Sequence, residues 1–228
     1  MAAPPLIYVV CSDQHRNGKT LLARVLVDYL MLEGRDPFVI DAGSPEGPLR
    51  LHFPGRTALV DFATVRGQMK VFDTILASPG RDYVIDLPAA ELDRFATAVR
   101  ELNVFTEARL AGFRIVVLYV IDNERDSLDA AVVFERTTAP DLLVPVRNAA
   151  VGSALPHSYS GILISMPELP EPLLALAAHK RFSFRSYLTG EEEAVPPPLR
   201  PVLASFLFAL LTAFRDIQPA LSLAKLAS

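Results

Sequence analysis

One run of ten residues, Cys11-Ser-Asp-Gln-His-Arg-Asn-Gly-Lys-Thr20, holds the residue types that grip a phosphate ester. Glycine at position 18 lets the backbone approach an anion closely. A helix beginning there offers free N–H groups at its positive dipole end. Lys19 then reaches the outer phosphates, and the Thr20 hydroxyl is a ligand for Mg²⁺. Gly18-Lys19-Thr20 is thus the second half of a phosphate-binding loop, with Gln14, His15, Arg16 and Asn17 as its cradle. The first glycine of the full pattern is missing, because position 13 is Asp13. The tripeptide alone is a weak signal, and its placement between an apolar run and a helical pattern strengthens it. The competing reading is an ordinary strand-to-helix loop capped by Asn17.

A second anchor lies further along. Asp82-Tyr-Val-Ile-Asp86-Leu-Pro88 is an apolar run ending in an acid, and Asp86 beside the loop would hold Mg²⁺, directly or through water. A strand-end acid that merely caps the next helix is the alternative. Phe38-Val-Ile-Asp41-Ala-Gly43 also ends in an acid, and Val144-Pro-Val-Arg-Asn148 ends in an amide.

The elements that must position these residues are legible as alternation. Apolar runs at Leu6–Cys11, 37–41, 82–87, 113–121 and 142–147 show no clean two-residue period, as expected of strands covered on both faces. A weaker run at 57–61 is a strand or a loop. Helical spacing fills 19–33, 63–77, 90–110 and 127–138, with Gly34 placed to end the first helix. Strands alternating with helices predict an α/β fold: a mainly parallel sheet sandwiched by helices. Pro145 gives no ladder hydrogen bond and points to an edge, a bulge or a short strand. After Asn148 the texture turns rich in Pro, Gly and Ser, with a short apolar run at 161–166 and helices expected at 170–180 and 201–216. One domain is expected, with a core over about 5–150 and C-terminal additions over about 151–228.

Composition bounds the rest. The chain has 228 residues, 51% apolar and 21% charged, which excludes a disordered chain. A net charge of −4 and a pI near 5.6 argue against coating nucleic acid by bulk electrostatics. One cysteine, Cys11, forms no internal disulfide, and the four histidines show no ligand spacing. The N-terminus has no basic segment before its apolar run, so a cytoplasmic protein is expected. Residues 202–214 are apolar nearly all round but fall short of the roughly 20 needed to span a bilayer. With only Arg200 and Arg215 at its ends, that helix also lacks the basic face of a membrane-surface helix. It is expected to pack on the domain or across a dimer.

Taken together, these residues resemble the deviant P-loop family of ParA/MinD-like ATPases over roughly 5–150. The resemblance implies a homodimer around two ATP molecules with Mg²⁺, controlled by a protein partner. By the same resemblance, Lys19 and Asp41 carry the catalytic and switch contacts, Asp86-Leu87-Pro88 is the strand-end Asp-x-Pro motif, and Asn148 hydrogen-bonds the adenine. The departures are specific. The family's cross-dimer lysine is Gln14 here, two loop glycines are His15 and Arg16, and the later acid of the second strand is Gly43. They favour binding over family-type hydrolysis. Two other readings remain: a P-loop kinase or ATP-dependent ligase using Arg50, His52 and Arg56 for an anionic substrate, or a non-catalytic P-loop scaffold.

Overall fold

A computed structural model describes residues 4–45, 47–122, 125–152 and 162–227. Seven strands form one all-parallel sheet. They are β1 (Leu6–Cys11), β2 (Phe38–Asp41), β3 (Thr57–Leu59), β4 (Tyr83–Asp86), β5 (Arg114–Ile121), β6 (Leu142–Asn148) and β7 (Ile164–Met166), in the order β3-β2-β4-β1-β5-β6-β7. The expected α/β class and the parallel sheet are both present, and the weak run at 57–61 is an edge strand. Pro145 sits in an interior strand rather than an edge one. Its neighbour β7 pairs with β6 only from Val146 onward, so at Pro145 itself β6 has a partner on one side. The missing N–H is tolerated there for the reason that proline is tolerated at edges.

The helices are α1 (Lys19–Leu32), α2 (Pro48–His52), α3 (Val65–Ala77), α4 (Leu92–Glu101), α5 (Val104–Leu110), α6 (Arg125–Thr138), α7 (Glu171–Ala178), α8 (Phe184–Leu188), α9 (Arg200–Arg215) and α10 (Ile217–Ala227). Gly34 ends α1 as expected, at φ 74°, with its N–H on Met31 O. The single helix expected over 90–110 is two. Asn103 at φ 52° breaks it, and asparagine is among the few residues that adopt the left-handed region readily.

Strand pleat divides the interior in two. Leu6, Tyr8 and Val10 face one cluster, built with α1 and the C-terminal helices. Ile7, Val9 and Cys11 face the other, built with α3 to α6 around Phe95. The C-terminal additions are therefore integral: Ile164, Leu173, Phe184, Leu203, Phe206 and Phe214 complete the first cluster. The apolar C-terminal segment is also longer than its sequence run suggested. Pro197–Leu223 spans 27 residues and holds an 18-residue stretch of mean hydropathy 1.5, long and apolar enough by length and composition alone to cross a membrane. One stripe of it lies in the domain core, where the rings of Tyr29 and Phe214 meet at 5.5 Å, while 28% of the apolar stretch is buried.

Candidate functional site

Parallel register gathers the chemistry at one edge of the sheet. Val10 aligns with Asp86 and Asp86 aligns with Asp41, so the strand-end carboxylates sit side by side, next to the loop that leaves β1. A cleft of about 520 Å³ opens there. Lys19, Thr20, Asp41 and Asp86 line it with His15 and Arg16. The Thr20 hydroxyl donates to Asp86 Oδ2 at 2.7 Å. The buried Lys19 ammonium donates to two neutral oxygens, Gln14 O and Asn17 Oδ1. Burial lowers the pKa of Lys19, partly offset by the charge of Asp86. Burial also raises Asp86 to about 7, against the Thr20 hydrogen bond and with a further push from Asp41.

The loop takes its left-handed turns at Arg16 and Gly18. Gly18 caps α1 at φ 95°, and a Cβ there would meet Asn148 Nδ2 at 2.7 Å and Met166 Cε at 2.8 Å. Arg16 adopts φ 56° with its side chain attached, a backbone that costs an L-residue roughly 1–2 kcal/mol. Asp13, the residue in place of a glycine, is the loop's latch. Its Oδ1 accepts from Tyr119 Oη at 3.2 Å and from Ser127 Oγ at 3.1 Å, tying the loop to β5 and α6. Ser12, fully buried, accepts from Asn17 Nδ2 and from Gln14 N. Sequence reasoning missed Ser12, Tyr119 and Ser127, and took Asp13 only as a defect. A polar pair at a glycine position was the available signal.

Gln14, Asn17 and Asn148 do not face the cleft with their side chains. Gln14 Nε2 donates to Asp13, and Asn17, 2% exposed, is turned inward to Ser12 and Val120 O. Asn148 stands behind the loop. Its Nδ2 donates to Asn17 O at 2.8 Å and its Oδ1 accepts from Ala150 N at 3.0 Å. Asp41 is in the cleft wall, but both its oxygens accept backbone N–H groups, from Gly43 at 3.0 Å and Leu49 at 2.8 Å. It thereby fixes the turn into α2, and burial raises its pKa. Arg50, His52 and Arg56 do not line the cleft; Arg56 pairs with Asp36, and His52 lines a different hollow beside Asp28. Cys11 is fully buried, and burial pushes its thiol far up, so it is no nucleophile.

The oxygen donors Thr20 and Asp86, with a carboxylate that ionises near neutrality, suit a hard cation such as Mg²⁺. Among the described residues no cluster of three or more His, Cys, Asp or Glu could hold a metal ion by itself.

No protein-family model matches the chain, and no curated protein matches it. Solved structures do. A nucleotide-binding protein from Archaeoglobus fulgidus in complex with ADP superposes with a TM-score of 0.50 at 15% identity, covering 77% of this chain and 86% of that one. A proposed plasmid partition protein from Borrelia burgdorferi bound to AMPPNP gives 0.44 at 14% identity, covering 94% and 99%. FtsY from Mycoplasma mycoides gives 0.43 at 12%, covering 63% and 52%. The first of these establishes a shared fold: the sheet and its flanking helices follow the same chain path in both proteins.

Proposed function

We propose that the chain is a ParA/MinD-like protein that binds ATP with Mg²⁺ and uses nucleotide state to control self-association as a homodimer or capture of a protein partner, in the cytoplasm. Partition of plasmids or chromosomes, or conjugation, is the setting this reading implies. The observation that carries it is the convergence of Lys19, Thr20, Asp86 and Asp41 on one cleft at the N-terminus of α1. Lys19 and the backbone of 14–20 would bind the phosphates, displacing the ammonium from its neutral oxygens to a charged one. Thr20 and Asp86 would hold Mg²⁺, which neutralises phosphate charge when bound. Asp41 would couple the cleft to the turn into α2. Asn148 lies on the side of the loop away from the cleft, and a base reaching it there would meet the second N–H of Nδ2 and the remaining lone pair of Oδ1. With Gln14 and Gly43 in the positions of the family's lysine and second acid, turnover is expected to be slow.

Isothermal titration with ATP and Mg²⁺ tests the reading. Wild type should saturate, and Lys19→Ala should bind about 10–100-fold more weakly, the worth of one charged hydrogen-bonding group. Equal weak heats for both proteins would leave a non-catalytic scaffold as the surviving reading.

A further inference from the structure

The outward face of α9 is as distinctive as its inward one. From Pro201 to Phe214 the helix carries no charged residue. Its inward stripe is in the core, yet Phe208 is 74% exposed and Val202 is 39% exposed. Phe208 stands in a groove of about 540 Å³, walled by Leu188, Ala204, Ser205, Leu211 and Thr212. None of these residues lines the nucleotide cleft. Ala204, Phe208, Leu211 and Arg215 repeat at helical spacing, so they form one stripe along the helix.

The stripe is polar end to end. Arg215 closes the groove at the C-terminal end of α9. Leu188 joins the other side of the groove to a hollow lined by Glu192, Glu193 and Arg200. Arg200 donates to Val195 O, and the two glutamates outnumber it there. Phe208 falls at the midpoint of this 16-residue helix. A second helix of the same kind, laid antiparallel across Phe208, would bring each Arg215 to the other's acidic end, twice. Small residues at 204, 205 and 212 leave room for the opposing ring at an ordinary helix separation of about 8–10 Å. A parallel arrangement would set like charge on like.

We infer that this face is a two-fold interface on which a second copy of the chain packs antiparallel, each Phe208 entering the other's groove and each Arg215 meeting the other's Glu192 and Glu193. Symmetric pairing of a self-complementary patch is how most homodimers close. A lipid surface fits worse, because two glutamates offset the two arginines of the rim and leave no basic excess for an anionic leaflet. The interface does not use the nucleotide cleft, so it forms without nucleotide and is distinct from the association that nucleotide would control.

Sedimentation velocity on the full chain without nucleotide tests this. Wild type should be dimeric at about 10–100 μM, and Phe208→Glu, at an exposed position, should raise the dimer dissociation constant about 10–100-fold with an unchanged circular dichroism spectrum. Arg215→Glu should weaken the dimer, as should the pair Glu192→Arg and Glu193→Arg. Combining all three should restore it. Arg215 also lies 3.6 Å from Glu33 of its own chain, so this rescue, not the single variant, is decisive. Lys19→Ala should leave the dimer intact. A monomer at every concentration, a dimer indifferent to Phe208→Glu, or failed rescue would overturn the inference. So would a dimer lost with Lys19→Ala, which would place self-association in the nucleotide cleft. Flotation of wild type, but not Phe208→Glu, with vesicles of acidic phospholipid would assign the face to a membrane instead.

Discussion

At the scale of residues, the site balances a buried cation against two buried acids. Among the described residues Lys19 donates to neutral oxygens only, and Asp86 is shifted to about 7 beside Thr20. A bound cation would restore the charged form of Asp86, so Asp86→Asn is expected to abolish the gain in nucleotide affinity that Mg²⁺ gives, measured by titration with and without the metal. If the variant keeps that gain, Asp86 is only a partner for Thr20. Gly18 makes a different prediction. Gly18→Ala forces a Cβ against Asn148 at a φ of 95°, and should cost about 2 kcal/mol or more in urea unfolding. An unchanged midpoint would show that the loop relaxes freely. That Lys19, Thr20 and Asp86 meet at one edge of the sheet was legible, because the loop after β1 and the acid ending β4 lie at the same end of parallel strands. The Asp13 latch was not, since its partners Tyr119 and Ser127 lie more than a hundred residues away.

At the scale of elements, α1 does two jobs. Its first turn carries Lys19 and Thr20, and its middle clamps the C-terminal segment. Arg24, 4% exposed, donates to Ala177 O and Phe182 O, with its guanidinium 5.1 Å from the Phe184 ring centroid. One turn on, Asp28 accepts from Phe184 N at 3.0 Å. Arg24→Met should cost about 3 kcal/mol and speed amide exchange across α7 and α8, because it strands two carbonyls and a buried acid. Exchange unchanged there would refute the clamp. Burial raises Asp28 to about 6, against the pull of the Arg185 and Phe184 amides. Below about pH 4 both folded and unfolded chains hold this proton. As pH rises to 6 the unfolded chain ionises first, so stability from this group is lost and then levels off. Asp28→Asn does not titrate, and its stability relative to wild type should rise by about 2–3 kcal/mol between pH 4 and 6.5 in urea unfolding. Parallel curves would contradict it. Strands β1 to β6 were read to within two residues from apolar runs and β7 to within three, while α2 and α8, five residues each, left no periodic signal to find.

At the scale of the whole molecule, two apolar clusters share one sheet. Val9 and Val10 point to opposite cores from adjacent positions of the same strand. Neither core can therefore melt without exposing the back of the other. Urea unfolding followed by tyrosine fluorescence and by far-ultraviolet circular dichroism should give coincident transitions. Two separated midpoints would mean that the C-terminal additions form a unit of their own.

The alternation of buried runs with helical spacing, and the Gly18-Lys19-Thr20 loop between the first pair, were fixed locally. Period and residue type act within a dozen residues, and sequence displays both. Tertiary structure alone decided three other matters. Parallel register set Asp41 beside Asp86, chain return from beyond residue 162 placed Arg24 and Asp28 under the C-terminal helices, and packing divided α9 into a core face and an open one. These depend on which distant segments meet. Asn148 shows the difference in one residue: its place at a strand end could be read in advance, but its grip on the back of the loop required Asn17 to be folded against it.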